Sequence, residues 1–217
     1  MEISPCMTSS PLFRDISPAD LASLLDCLDA RERAYEKGTW LLRRGERTDR
    51  LGLVLSGTVH ILREDFWGSR SIVGLAGPGE IFAESYALAG EPLEVSVLAA
   101  SDARVLFLRV ETALAGRGQL TRNLTALLAE KNLTLTRKMR HMARRTTREK
   151  LLSYLSAQAL RSGGPEFDIP MDRQQLADYL AVDRSAMSAA LGKLRDEGVL
   201  EFRKNHFRLL DPGEQDL

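Results

Sequence analysis

The 217-residue chain is short of the side chains that staple or anchor a protein. Cys6 and Cys27 are its only cysteines. Two thiols rule out a disulfide framework, and they rule out an iron-sulfur cluster held by four cysteines of one chain. Their expected places are an N-terminal tail for Cys6 and a small buried apolar site for Cys27. No run of eighteen apolar residues occurs, so no membrane-spanning helix is expected. The N-terminus carries Glu2 in place of a basic segment ahead of an apolar stretch, so no signal peptide is read and a cytoplasmic protein is expected. Histidine is scarce as well, with three in the chain. Only His60 falls among the strand-like segments from Thr39 to Leu108, too few ligands for a catalytic metal there. No catalytic residue and no metal site are assigned, and an enzyme is the least favoured class.

The total charge is zero, but the two halves differ. Residues 1–115 carry 12 Lys+Arg against 17 Asp+Glu, a net of −5, and residues 116–217 carry 18 against 13, a net of +5. Attraction to phosphates supplies most sequence-independent DNA affinity, so a basic C-terminal half on an acidic partner fits a DNA reader coupled to something else. The length suits two modest domains, each with enough mass for its own core.

From Thr39 to Leu108 the chain reads as short strands separated by glycine turns: Trp40 to Leu42, Leu51 to Leu55, Thr58 to Leu62, Ser71 to Leu75, Val95 to Ala99 and Arg104 to Leu108. The turns sit at Gly45, Gly57, Gly68, Gly77 to Gly79 and Gly90. Such spacing predicts a β-sandwich or barrel, here a jelly roll. Before it, Ser17 caps a short helix with Leu21, Leu24, Leu25 and Leu28 facing inward. After it comes one long helix, Gln119 to Arg145, free of Gly and Pro. Leu128, Leu135 and Met142 lie seven apart and Leu124 and Lys131 take intermediate positions, an imperfect heptad that fits a parallel partner and leaves open a single amphipathic helix lying on its own barrel; two reading heads on a palindromic site favour the partner. Arg137, Lys138, Arg140, Arg144, Arg145, Arg148 and Lys150 cluster near its end, where such a run is either a solvated face or a phosphate contact.

The segment Asp172 to Leu209 carries the strongest functional signal. Leu176, Ala177 and Leu180 form one helical face behind an Asp172 cap; Met187, Ala190, Leu191 and Leu194 form another behind Asp183, ending at Gly198. Only Ala181 and Val182 separate the two helices. With Val182 turned inward, the N-terminal end of the second helix points outward, as in a helix-turn-helix. Val199, Leu200 and Phe202, a turn of Arg203, Lys204 and Asn205, then Phe207 and Leu209 predict a hairpin wing.

The order of β-roll, long helix and winged helix-turn-helix resembles the CRP/FNR family of bacterial transcription regulators over nearly the whole chain. Gly79-Glu80-Ile81-Phe82-Ala83-Glu84-Ser85 is similar to the family's nucleotide-cassette turn, and Ser56-Gly57-Thr58-Val59 to its glycine hairpin. Arg173 to Ala177 and Arg184 to Ser188 resemble its two DNA-binding helices. The resemblance implies an α+β chain: a double-stranded β-helix (a jelly roll like cyclic-nucleotide-binding domains) at 1–116, a dimerisation helix at 117–145 using Leu124, Leu128, Leu135 and Met142, and a winged helix-turn-helix at 146–217. It implies a homodimer on palindromic double-stranded DNA, with RNA polymerase as a further partner. It also implies an effector pocket around Ile61, Val73, Glu84, Ser85 and Glu94, with Leu135 from the long helix.

Departures from the family pattern narrow the mechanism. Members that bind cyclic AMP place an arginine ten residues after the cassette glutamate; here that position is Glu94, of the wrong sign for a phosphate. No Arg or Lys lies between Arg70 and Arg104. The cassette's Phe-Ala-Glu is closer to members that sense gases, redox state or small organic molecules. Haem would draw its axial ligand from His60, His141, Cys6, Cys27 or Met7. His60 alternates with Val59 and Ile61 and so points away from the face they fill, and His141 lies in the basic helix end. In the second helix Arg184 matches a guanine-reading position, but a glutamate position is Ser185 and a second arginine position is Ala189. Readout then rests on Arg184 with Ser185, Ser188, Lys193 and groove shape, while Arg173 and Lys204 contact phosphates. The competing reading is a winged-helix module that docks another protein.

Overall fold

The computed structural model describes residues 3–65, 67–111 and 118–210. The chain divides into two compact units, Met1–Ala129 and Glu130–Leu217, and the division falls inside a long helix.

The first unit is a roll of two four-stranded antiparallel sheets, with strand orders β1-β8-β3-β6 and β2-β7-β4-β5. Its strands are β1 Arg31–Tyr35, β2 Trp40–Leu42, β3 Arg50–Ser56, β4 Val59–Glu64, β5 Arg70–Ala76, β6 Ile81–Phe82, β7 Ser96–Ala99 and β8 Ala103–Arg109. Val54, Val59, Phe82, Val97, Val105 and Phe107 fill the space between the sheets. The other face of the first sheet, Leu51, Leu53, Leu55, Leu106 and Leu108, joins a second core with α1 (Pro5–Ser9), a 3-10 turn at Pro11–Phe13, α2 (Pro18–Cys27) and Leu120 and Leu124 from the start of α4 (Gln119–Met142). β3 and β8 are thus covered on both faces, which is why they read as continuous apolar runs while β4 alternates. Gly57 has φ of 77°, and a Cβ there would lie 2.1 Å from the Asp102 carbonyl oxygen, so only glycine fits this turn. α3 (Glu84–Ala89) follows β6 directly.

The two thiols exchange the places expected of them. Cys27 ends α2 on its exposed side, whereas Cys6 lies in α1, half-buried, its Sγ 3.5 Å from the Val54 carbonyl. An amphipathic helix begins at Pro5, and Met7 beside Cys6 is fully buried.

The second unit holds the rest of α4, then α5 (Thr147–Ser162), β9 (Glu166–Asp168), α6 (Arg173–Leu180), α7 (Arg184–Asp196), β10 (Leu200–Arg203) and β11 (His206–Leu209). The long helix ends at Met142, short of the expected Arg145, because Thr146 and Glu149 form a reciprocal capping box that starts α5. Leu151, Tyr154, Leu155, Leu176, Leu180, Met187, Leu191, Leu194 and Phe207 make the core. The three strands form one sheet in the order β10-β11-β9.

His141, on α4, is buried in this unit, its Nδ1 2.8 Å from Ser153 Oγ and its ring against Tyr154 and Tyr179 at 5.7 and 6.4 Å. Burial, then Arg140 and Arg144, push its pKa below 6.5. Burial also pushes the Tyr154 phenol up to about 12. The unfolded chain therefore binds the His141 proton more readily than the native one, so stability is full above 6.5 and is lost as pH falls from there toward the native value. Thermal melts of the wild type are expected to drop between about pH 7.5 and pH 5.5 more steeply than those of His141→Gln. Equal slopes would show that His141 titrates normally.

Candidate nucleic-acid interface

The local sequence fixes the outward end of α7. Asp172 and Gln175 form a reciprocal capping box at α6, each backbone N–H donating to the other's side chain at 2.9 Å. α6 ends at Ala181, whose φ of 50° turns the chain sharply, and Val182 packs against the core. Asp183 then caps α7: one carboxylate oxygen accepts from Ser185 N at 2.8 Å, Ala186 N at 2.9 Å and Ser185 Oγ at 2.5 Å. Those bonds, the Ser185 hydroxyl's first, hold its pKa below the usual carboxylate value. Met187, Leu191 and Leu194 bury one face of α7, leaving Arg184, Ser185, Ser188 and Lys193 exposed. Ser188 Oγ donates to the Arg184 carbonyl at 2.9 Å. Arg184, the first residue of the helix, has no ion-pair partner among the described residues.

The wing closes on a two-residue turn, Lys204 and Asn205, with Arg203 opposite His206. Lys204 adopts φ of 56° and is exposed. Asn205 pins the turn to the end of β9 by donating to the Ile169 carbonyl at 3.1 Å and accepting from Ile169 N at 2.9 Å. The Arg173 guanidinium lies 4.9 Å from the Phe202 ring and 5.0 Å from Phe207. Its pKa is lowered by burial; it remains a cation with N–H groups to spare. Arg173 and Lys204 line one recess of about 480 Å³ with Asp172, Gln175 and Asn205. Within the basic run, Lys150 donates to the Leu180 and Ala181 carbonyls at 3.3 Å, Arg148 pairs with Glu197 at 2.5 Å, and Lys138 lies over Tyr179 at 5.5 Å. Arg137, Arg140, Arg144 and Arg145 are exposed.

The cassette residues take varied places. Ile61 is half-buried against the inter-sheet core and Glu84 is buried at the start of α3, while Val73, Ser85 and Glu94 are exposed. Leu135 belongs to the second unit and is 61% exposed. Leu124, placed in the dimer seam by its spacing, is fully buried in the first unit's own core and offers nothing to a partner helix. Leu128 is half-buried, whereas Leu135, Met139 and Met142 are exposed. His60 is half-buried on β4, and among the described residues no three His, Cys, Asp or Glu side chains stand together as metal ligands. No described helix is long and apolar enough to cross a membrane.

Residues 32–115 match the cyclic nucleotide-binding domain family and residues 149–214 the Crp-like helix-turn-helix domain. The cyclic AMP receptor protein of Thermus thermophilus is 30% identical over 198 residues, 89% of each chain. The chain belongs to the CRP/FNR family of transcription regulators. The transcriptional activator FnrA of Stutzerimonas stutzeri is 24% identical over 86% of this chain and 80% of its own. The crystal structure of the Thermus thermophilus catabolite activator protein superposes with a TM-score of 0.52 at 30% identity, covering 94% of this chain and 96% of that one. As a CRP/FNR protein the chain is a DNA-binding regulator with a β-roll and a winged helix-turn-helix.

For this CRP/FNR chain the sequence missed the two rings beneath Arg173. Phe202 and Phe207 read only as alternating strand residues. Their aromatic character opposite an arginine at a helix start was the available signal.

Proposed function

We propose that this protein is a homodimeric regulator that reads a palindromic DNA site with Arg184 and answers to an effector other than cyclic AMP or an iron-sulfur cluster. The observation that carries this reading is the α7 N-terminus, where a capped helix presents an exposed arginine with no ion-pair partner among the described residues. Arg173 and Lys204, side by side in the wing recess, hold the phosphate backbone without specifying sequence. Leu128, Leu135, Met139 and Met142 supply the dimer seam; Leu135 and Met142 are seven apart and Met139 sits four after Leu135. Exposed leucine and methionine side chains gain about 1.5–3 kcal/mol each when covered, which favours a second helix there. Cyclic AMP, the ligand in the Thermus relative's name, is not carried over: the position that would meet its phosphate is the exposed carboxylate Glu94. An effector that favours one arrangement of the paired helices would set the spacing of the two reading helices.

A palindromic duplex selected from a random pool tests the reading. Two chains per duplex and half-sites about one helical turn apart are expected. Leu135→Glu, which puts a charge into the seam, is expected to yield monomers and to weaken palindrome binding by about tenfold or more while leaving single half-site binding unchanged. Monomeric wild-type protein with undiminished palindrome affinity would sink the dimer. Binding that does not respond to salt would point to the protein-docking alternative.

A further inference from the structure

β1 breaks the pattern that an enclosed sheet face keeps. Residues opposite one another in a ladder share a face. Arg31 stands opposite Phe107 and Arg33 opposite Val105, and both partners belong to the core between the sheets. Two arginines therefore lie on the inner face, at the edge where β1 ends its sheet. Together with Arg50, Tyr35 and Thr48 they line a recess of about 140 Å³ whose apolar floor is Leu41, Leu42 and Phe107.

The ion pairs nearby do not neutralise this rim. Asp29 takes Arg31 at 3.1 Å, Arg109 at 3.3 Å and Arg50 in a short contact, and Asp49 takes Arg50 at 3.8 Å and Arg109 at 3.4 Å. Four guanidiniums, with Arg33, thus face two carboxylates, an excess of two positive charges. Arg33 has no carboxylate partner among the described residues. A single inward charge is enough to guard an edge strand against pairing. Three guanidiniums around an apolar floor exceed that need, and Arg31 and Arg50 keep N–H groups that their ion pairs do not use, beside Arg33 with all of its own.

We propose that this recess binds a compact organic oxyanion, a short-chain carboxylate, with the carboxylate on Arg33 and Arg31 and the alkyl tail on Leu41, Leu42 and Phe107. The volume holds about five waters, which matches a molecule of about five or six heavy atoms. Planar guanidinium and planar carboxylate pair through two parallel hydrogen bonds, and the apolar floor favours a tail over a bare ion. The cassette residues Glu84 and Glu94 do not line this recess, and the site does not depend on how the protein reads DNA.

Calorimetric titration of the full chain with butyrate, inorganic phosphate and butyramide tests it. Butyrate is expected to bind saturably at one per chain, and Arg33→Ala to weaken it by at least about tenfold with an unchanged melting temperature. Butyramide, the same shape without the charge, is expected to bind at least about tenfold more weakly. Absence of saturable butyrate binding, or equal affinity for butyramide or in Arg33→Ala, would overturn the site. Phosphate binding as tightly as butyrate would overturn the role given to the apolar floor.

Discussion

Arg184→Ala is expected to erase the preference for the selected palindrome while leaving weak, salt-sensitive binding to any duplex. A bidentate arginine–guanine pair is worth about 1–3 kcal/mol, so two half-sites lose roughly thirtyfold or more in discrimination. The structure concentrates this burden on one residue. The Ser185 hydroxyl donates its proton to Asp183 and the Ser188 hydroxyl to the Arg184 carbonyl. Both then meet a base edge only as acceptors, which suits the amino groups of cytosine or adenine and not guanine O6 or N7. Arg184 is left as the strong donor at the helix end, and Ala189 adds none. The substitution leaves the Asp183 cap intact, so the melting temperature should hold. Lys204→Ala supplies the contrast: affinity falls evenly across sequences and the salt slope drops by about two, one contact per half-site. Competition binding against a scrambled duplex at several salt concentrations separates the two. An Arg184→Ala protein that keeps its site preference would mean that α7 is not the reading helix.

The helix-turn-helix was legible because its determinants are local: two acidic caps, apolar residues at helical spacing and a two-residue turn. The strands of the roll were legible where glycine turns bounded apolar runs. β1 was not, because Arg31-Glu32-Arg33-Ala34-Tyr35 has charge where a strand's inward face should be apolar, and its place is fixed by pairing with β8, seventy residues away. β9 and the two-residue β6 were missed for the same reason; short strands owe their existence to distant partners. α5 was not legible although Thr146 and Glu149 mark its start, because that cap lies inside the basic run and the helix's buried face, Leu151, Tyr154 and Leu155, is short. Leu124 shows the limit of heptad counting. Spacing places a residue on a face of a helix, but what covers that face is tertiary, and at Leu124 the first unit's own core covers it.

In the first unit, Gly52→Ala is expected to destabilise the roll at or beyond the upper end of the roughly 1–3 kcal/mol range for overpacking. Gly52 lies in β3 opposite Phe82 of β6 and Phe107 of β8. A Cβ there would fall 2.2 Å from the tip of the Phe82 ring and within 2.7 Å of both flanking ring carbons. That ring is buried and held edge-on against Phe107 at 6.2 Å, so it has no open side to swing into. Either β6 moves off β3 or the inter-sheet core opens, and both carry the cassette turn with them, because Ala83 and Glu84 follow Phe82 directly. Phe82→Leu in the same chain removes the ring that collides, so the double variant should be more stable than the sum of its parts by about 1 kcal/mol or more. Urea unfolding of the four proteins measures this coupling. A Gly52→Ala protein within about 0.5 kcal/mol of wild type would show that Phe82 does not sit over Gly52. Additive losses in the double variant would show that the cost at Gly52 arises elsewhere. The helix-turn-helix has its own core, so Gly52→Ala should separate sensing from reading: nonspecific DNA affinity persists while control through the roll is lost.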